Sequence, residues 1–385
     1  MPADRTEGTP VSVASVFDRA WSYAEDRRFE GVDPYDALSS PLLAALHRVG
    51  GRPAGILATQ ILRRMPWDVR PALGIHPAAN PKGLALFLSA AARVGRLDAI
   101  PTLAGSLRSL SSGGGWGYPF PWRARAFYLP ARTPTIVATA FVGEAFVDAF
   151  RATGDRSLLD TAVGACAFLD RLHRTEDATG VCLSYSPVDR SAVYNASVLG
   201  GRLLVRVGTA CDDGSLVDRA RPLMTFALAR QQEDGAWAYG DAAHHHWIDS
   251  FHTGFVLSSL ESWREATGDP HAARAIERGF RLYVETFFGP EGEPYYFSHR
   301  KRPYDVHSAA QAVLTGCQLR ETIPGAESLA RRAGRYLVES FLCPDGHFRY
   351  QLHRTHRVNI PYMRWSQAWA VRALAELTAL GIETR

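Results

Sequence analysis

A closed, all-α ring of six helical hairpins is the fold that this 385-residue sequence predicts, on three observations. One apolar, small-residue-rich helix start recurs six times along the chain. The residue that follows each start is always small. A more charged, amphipathic helix separates one start from the next.

The six starts are Lys82-Gly-Leu-Ala-Leu-Phe-Leu, Val137-Ala-Thr-Ala-Phe-Val-Gly, Asn195-Ala-Ser-Val-Leu-Gly-Gly, His252-Thr-Gly-Phe-Val-Leu-Ser, His307-Ser-Ala-Ala-Gln-Ala-Val and Trp365-Ser-Gln-Ala-Trp-Ala-Val. The steps between them are 55, 58, 57, 55 and 58 residues. Position two reads Gly83, Ala138, Ala196, Thr253, Ser308 and Ser366, as helices require where their backbones crowd together.

The intervening amphipathic helices are expected over Arg156 to Leu172, Leu216 to Gln231, Pro270 to Phe287 and Glu327 to Leu342. Thr153-Gly154-Asp155 and Thr267-Gly268-Asp269 each place Gly where one helix ends and Asp where the next is capped. Pro270 then takes the first-turn position, where its missing N–H costs nothing. Residues 13 to 64 read as two or three helices that complete the first hairpin, followed by a loop from Pro66 to Pro81. Apolar helices belong inside the ring and amphipathic ones outside. An open solenoid has no need of small residues at one level in every repeat. The expected architecture is an (α/α)6 toroid, with 1–385 as a single domain and residues 1–65 completing the ring.

Composition narrows the function. With 46% hydrophobic and 21% charged residues, the chain has the balance of a packed globular protein. It has no run of eighteen apolar residues for a membrane span. Its start, Met1-Pro-Ala-Asp-Arg-Thr-Glu-Gly, lacks the layout of a secretory leader, so a cytoplasmic location is expected. Five singly scattered cysteines, Cys166, Cys182, Cys211, Cys317 and Cys343, fit neither a disulfide framework nor a CxxC zinc site. The net charge of +4 and the absence of a basic stripe or Gly-rich phosphate loop give no support to nucleic-acid binding.

In a toroid the loops leading into the inner helices open at one end, and here those loops are long, which is usual for functional loops. Segments 113–136, 182–195, 235–252, 291–307 and 344–365 hold 9 of the 13 histidines and 11 Lys or Arg against 7 Asp or Glu. Guanidinium groups match carboxylate or phosphate, and aromatic rings suit the apolar faces of sugars. The expected ligand is an acidic saccharide. Its expected aromatic contacts are Trp116, Tyr118, Tyr185, Trp237, Trp247, Tyr304 and Trp365. The basic contacts are Arg123, Arg125, Arg190, Arg302 and Arg364, and the other polar ones Asp189, Asn195, His246 and His299. For Trp116, Tyr118, Trp122, Trp237 and Trp247, plain packing of the ring mouth is an equal reading. Asp249 and Asp305 stand just before inner-helix positions, where capping is the default role. His244 and His246 with Asp249 or His252 match no closed zinc spacing, so no metal and no cofactor are expected.

Two resemblances follow. Gln231-Gln-Glu-Asp-Gly235-Ala-Trp237 resembles the QxxxGxW motif of squalene–hopene and related terpenoid cyclases, with partial echoes at Gly114-Gly-Trp116 and Gly346-His-Phe348. It implies the shared hairpin architecture only. The acidic DxDD motif of those cyclases is absent, and the zinc ligands of prenyltransferase β subunits are not recognisable. The second spans nearly the whole chain. Val32-Asp-Pro-Tyr-Asp-Ala-Leu-Ser-Ser-Pro-Leu, Asn80-Pro-Lys-Gly-Leu-Ala-Leu-Phe, Gly114-Gly-Trp-Gly-Tyr-Pro-Phe-Pro-Trp, Tyr185-Ser-Pro-Val-Asp-Arg, Tyr194-Asn-Ala-Ser, Phe251-His-Thr-Gly-Phe and Asp305-Val-His-Ser-Ala-Ala-Gln-Ala resemble the VpsJ-like family of bacterial exopolysaccharide gene clusters. That resemblance implies a role in making or tailoring a cell-surface polysaccharide and brings no catalytic residues. Toroids of this shape also house uronyl epimerases, unsaturated-glucuronyl hydrolases, polysaccharide lyases and sugar 2-epimerases.

Four chemistries are open to these residues. Epimerase- or lyase-type proton abstraction beside a sugar carboxylate needs a cationic clamp, for which Arg125, Arg190 and Arg364 are candidates. It also needs an acid–base pair, drawn from His252, His307, Tyr194 and Tyr239. Glycoside hydrolysis needs two carboxylates, from Asp189, Asp241, Asp249 and Asp305. A non-catalytic glycan-binding component of an assembly system would use the same aromatic and basic groups. Terpenoid cyclisation ranks last, because the loops are rich in charge.

Overall fold

Six inner helices stand side by side and close on themselves in the computed structural model, which describes residues 12–124 and 127–384. Thirteen α-helices run through the described residues. In chain order they are α1 (Val13–Glu25), α2 (Pro41–Leu62), α3 (Pro81–Val94), α4 (Ile100–Ser109), α5 (Ile136–Thr153), α6 (Arg156–Phe168), α7 (Tyr194–Cys211), α8 (Gly214–Ala229), α9 (Ser250–Thr267), α10 (Pro270–Phe287), α11 (Val306–Leu319), α12 (Ala326–Tyr336) and α13 (Ala368–Leu380). The odd-numbered helices from α3 to α13 form the inner ring. Each packs on the next, and α13 packs back on α3. The even-numbered helices from α4 to α12 lie outside, each against the inner helix before it. The fold is the (α/α)6 toroid.

Small residues set the spacing of the inner ring. A Cβ placed on Gly83 would come 3.3 Å from the Cα of Arg364, so α3 and the start of the last inner helix touch backbone to backbone. Buried Ala138, Ala196, Thr253, Ser308 and Ser366 occupy the same level of the other five. The caps stand where the sequence puts them. Gly154 and Gly268 end their helices at φ of +75° and +70°, and the carboxylates of Asp155 and Asp269 accept from Ser157 N and His271 N.

The N-terminal region departs from expectation. Only α1 joins the ring, and it stands against α13, so the first helix of the chain completes the last hairpin. Trp21 of α1 also meets Phe87 of α3 edge-on, which seals the seam where the chain's ends meet. Helix α2 leaves the ring and lies beside the mouth, bent where Gly51 adopts a φ of +61°. Its neighbouring turns are anchored by a buried pair, Arg70 Nε to Asp36 Oδ1 at 2.8 Å, and Arg70 Nη2 also donates to the Asp33 carbonyl. A buried charge pair specifies one docking geometry for this extra element, a role that apolar patterning does not register.

The long loops also hold strands. Tyr295–Phe297, Arg300–Asp305, Gln351–Leu352 and Arg357–Val358 pair in that order as one antiparallel sheet. It ties together the loops before the last two inner helices and forms one wall of the mouth.

Candidate functional site

Lys82, Val137, Asn195, His252, His307 and Trp365, the six repeat starts, all line a single cavity of about 750 Å³ at the end of the ring where the inner helices begin. Equivalent positions in six pseudo-equivalent helices reach the same level, so the repeat converts sequence spacing into one circle of side chains. The cavity is within the range that encloses small ligands. Six helix N-termini converge on it, and their partial positive charge favours an anion there.

One histidine is oriented by a carboxylate. Asp249 caps α9 by accepting His252 N through Oδ1 at 3.1 Å, while its Oδ2 accepts His252 Nδ1–H at 2.6 Å. Trp247 Nε1 donates to the same Oδ2 at 3.2 Å. A carboxylate at Nδ1 fixes the proton there, so the neutral imidazole presents a lone pair at Nε2. That Nε2 has no hydrogen-bond partner among the described residues. Tyr239, stacked on Trp247 with ring centres 4.4 Å apart, meets His252 edge-on at 4.9 Å.

The floor beside it is aromatic and holds two buried bases. His307 is clasped between Phe251, at 4.3 Å, and Trp369, at 4.1 Å, and neither of its nitrogens has a hydrogen-bond partner among the described residues. Burial, then the charges of Lys82 and Arg364, hold its pKa well below the ordinary histidine value, so the ring is neutral. Phe251 lies 4.2 Å from His252 as well, so one phenyl ring separates the two imidazoles. The Lys82 ammonium sits 4.3, 5.2 and 5.1 Å from the rings of Phe141, Phe255 and Trp369. No carboxylate pairs with it among the described residues. Burial, then Arg364, pull its pKa well below the lysine range, and the rings offset part of that cost.

The stretch Asp33-Pro-Tyr-Asp36 builds the adjoining wall. Asp33 accepts two bonds from the Arg364 guanidinium, Nε to Oδ2 at 2.6 Å and Nη2 to Oδ1 at 2.8 Å. Tyr35 lines the cavity, and its hydroxyl accepts Arg63 Nη1 at 3.2 Å while Tyr350 accepts Arg63 Nη2 at 2.8 Å. Two phenols therefore orient the Arg63 guanidinium, and no carboxylate among the described residues hydrogen-bonds to it. Among the described residues, eight Lys or Arg and one acid, Asp249, stand around the cavity.

Of the expected site residues, Tyr118, Arg123, Tyr185, Asn195, Tyr239, Trp247, Asp249, His252, His299, Arg302, His307, Arg364 and Trp365 come together on this cavity. Arg364 is there, but Asp33 already neutralises it, so it is not an unpaired clamp. Arg125 lies outside the described residues.

The others face elsewhere. Trp116 and Trp237 are buried between helices, where their indole N–H groups donate to the carbonyls of Leu107 and Ala227 at 2.6 and 2.9 Å. The QxxxGxW stretch is thus a hairpin clasp: Gln231 Nε2 donates to Gly235 O and Ala275 O, and Gly235 turns at φ +96°. Tyr194 turns away onto Phe226 and donates to Asp241. Asp305 is wholly buried behind the wall, accepting from His307 N, Gln351 Nε2 and Trp365 Nε1. Asp189 closes a turn with Ser186 and Ser191, and Arg190 beside it is exposed. His246 is exposed against the Asp241 carbonyl, and Tyr304 is covered by Arg302 at 3.6 Å. These positions follow from strand and turn geometry, which loop composition does not encode.

Sequence reasoning missed Asp33, Tyr35 and Arg63, and gave Lys82 no role although it heads the first repeat. It also missed His245, a buried cavity residue whose nitrogens have no hydrogen-bond partner among the described residues, and whose pKa is lowered to about 4 by burial and then by His244 and His246. Among the described residues no group of three or more His, Cys, Asp or Glu is disposed to hold a metal ion.

No protein-family model matches the chain, and no curated protein is significantly similar to it in sequence. Solved structures do match. The cellobiose 2-epimerase of Bacillus thermoamylovorans aligns with a TM-score of 0.63 at 12% identity, over 79% of this chain and 89% of its own. A GH76 α-mannanase of Bacteroides thetaiotaomicron gives 0.59 at 12%, over 78% and 88%. An unsaturated glucuronyl hydrolase specific for heparin gives 0.58 at 10%, over 81% and 90%. The likeness is one of fold. At these identities it assigns no residue a role.

Proposed function

We propose that this protein is a carbohydrate-active enzyme of epimerase or lyase type, moving a proton at a carbon next to the carbonyl or carboxylate of an acidic saccharide. The observation that carries the reading is the Asp249–His252 pair, with Nε2 unengaged in a cationic, aromatic cavity. In this reading His252 Nε2 takes the proton. Neutral His307 donates an N–H to the oxygen on which negative charge develops, as a histidine kept uncharged can do. Lys82 and Arg63 receive the substrate's carboxylate, and Tyr239, Trp247 and Trp365 pack against its ring faces. Proton transfer of this kind needs no redox cofactor.

The neighbours named as sugar epimerases and glucuronyl hydrolase support a saccharide ligand. The VpsJ-like motifs add a setting, the making or tailoring of a bacterial cell-surface polysaccharide. Two-carboxylate hydrolysis has less support, because Asp249 is the one acid on the cavity among the described residues and three hydrogen bonds already occupy it. The test is incubation with reducing aldoses, uronic acids and uronate-containing oligosaccharides in deuterium oxide, read by NMR. Wild type should exchange one carbon-bound proton and His252→Gln none. Binding without exchange across the panel would overturn the enzymatic reading in favour of a glycan-binding protein.

A further inference from the structure

Residues 41–67, which cover α2 and the turn beyond it, hold six of the ten large hydrophobic side chains exposed among the described residues. Leu42, Leu46 and Val49 follow helical spacing on the first limb of α2, and Leu57 and Ile61 do so on the second; Trp67 lies just past its end. Val49 is 92% exposed and Trp67 72%, while Thr59, Gln60 and Arg63 of the same segment line the cavity. A helix at a protein surface ordinarily turns a polar face to water. This one turns apolar residues outward instead.

The charge of the segment is as one-sided as its hydropathy. It contains Arg48, Arg52, Arg63 and Arg64 and no Asp or Glu, so outside it 39 basic residues balance 39 acidic ones. The segment that carries the exposed apolar stripe thus has a charge of +4, of which Arg63 faces the cavity. Exposed leucine, valine and tryptophan beside exposed Arg48, Arg52 and Arg64, with Asp68 just past Trp67 as the adjoining acid, are the features of an element that lies in the interface of a negatively charged bilayer. Arginine side chains there keep their heads among the phosphates while their stems cover apolar surface. No helix is long and apolar enough to cross a membrane. A second copy fits worse, because a two-fold contact would set the exposed Arg48, Arg52 and Arg64 against their own copies.

We propose that α2 docks the protein on an anionic lipid surface, with the mouth of the cavity beside the headgroups. The full chain is floated with vesicles of phosphatidylcholine alone and with about one third phosphatidylglycerol added. Binding to the mixed vesicles is expected, at least about tenfold weaker on the neutral ones and weaker in high salt. Leu46→Glu with Val49→Glu should lower binding to the mixed vesicles by about tenfold or more, and Arg48→Glu should lower it on its own. These positions are exposed, so an unchanged melting temperature shows that the variants are folded. His252→Gln should float like wild type, which separates this proposal from the reading of the cavity. No flotation with the mixed vesicles, equal flotation with the neutral ones, or unchanged flotation of the variants would each overturn it. So would a dimer, seen by light scattering without lipid, that the same substitutions dissolve.

Discussion

Asp33 and Arg364, 331 positions apart in the chain, meet as a two-pronged pair within the wall of the cavity, at 2.6 and 2.8 Å. The pair joins the turn that precedes α2 to the start of the last inner helix. It fixes the extra element against the ring and removes one positive charge from the cavity.

Breaking that pair from one side leaves a buried charge without a partner. Asp33→Ala should therefore cost about 3–5 kcal/mol, measured by urea unfolding. Asp33→Leu with Arg364→Met should cost clearly less than the sum of the two single changes, since no lone charge remains. Additive losses would show that the two residues act independently.

In the proposed reading Asp249 is a positioning residue for His252, whose Nδ1 it holds at 2.6 Å. In Asp249→Asn the amide can offer its N–H to the ring, which favours the tautomer with the proton on Nε2. Proton exchange should fall about a thousandfold or more with little change in KM. A purely structural role would lower the melting temperature and leave the turnover of folded enzyme intact.

Lys82 should couple ligand charge to proton uptake. Its pKa lies well below the lysine range in the free protein, through burial first and Arg364 second. An arriving carboxylate raises it, so binding takes up a proton and weakens as pH rises above the free-state pKa. Calorimetry in two buffers of different ionisation enthalpy measures this directly, and Lys82→Met should abolish the uptake. For stability the sign is opposite. Between the depressed folded pKa and the ordinary one, the unfolded chain binds the extra proton, so stability rises with pH across that window. Lys82→Met should accordingly stabilise at neutral pH, by about 0.5–2 kcal/mol.

Cys343 should behave unlike the other cysteines. Burial pushes its pKa up, but hydrogen bonds from His347 and Arg349 outweigh that and leave it below the usual thiol value. Arg349 Nη2 stands 3.3 Å from the sulfur, and Asp345 holds His347 Nδ1 at 2.6 Å. Burial raises Cys166, Cys182 and Cys317 to about 12. Iodoacetamide near pH 7 should modify Cys343 several-fold faster than any of these, by peptide mass spectrometry, and Arg349→Ala should slow it.

Much of the site was legible because the fold is repetitive. Once Lys82, Asn195, His252 and His307 are recognised as the same position of successive repeats, their convergence follows without coordinates. Trp116 and Trp237 misled for the same reason. They recur too, but as clasps between inner and outer helices, and a repeated tryptophan reads alike in either role. Asp33, Tyr35 and Arg63 were invisible as site residues because they belong to no repeat. Only the docking of α2 and its turn against the ring brings them to the cavity.

The chain by itself determined the toroid, since near-equal spacing, small residues at one level and well-placed caps each act locally and agree. Which charges are spent and which remain was decided only in three dimensions. Whether Arg364 is neutralised, whether Arg63 meets phenols or a carboxylate and whether Lys82 holds its proton depend on contacts between distant segments, because electrostatic pairing is set by separation in space and has no period along the sequence.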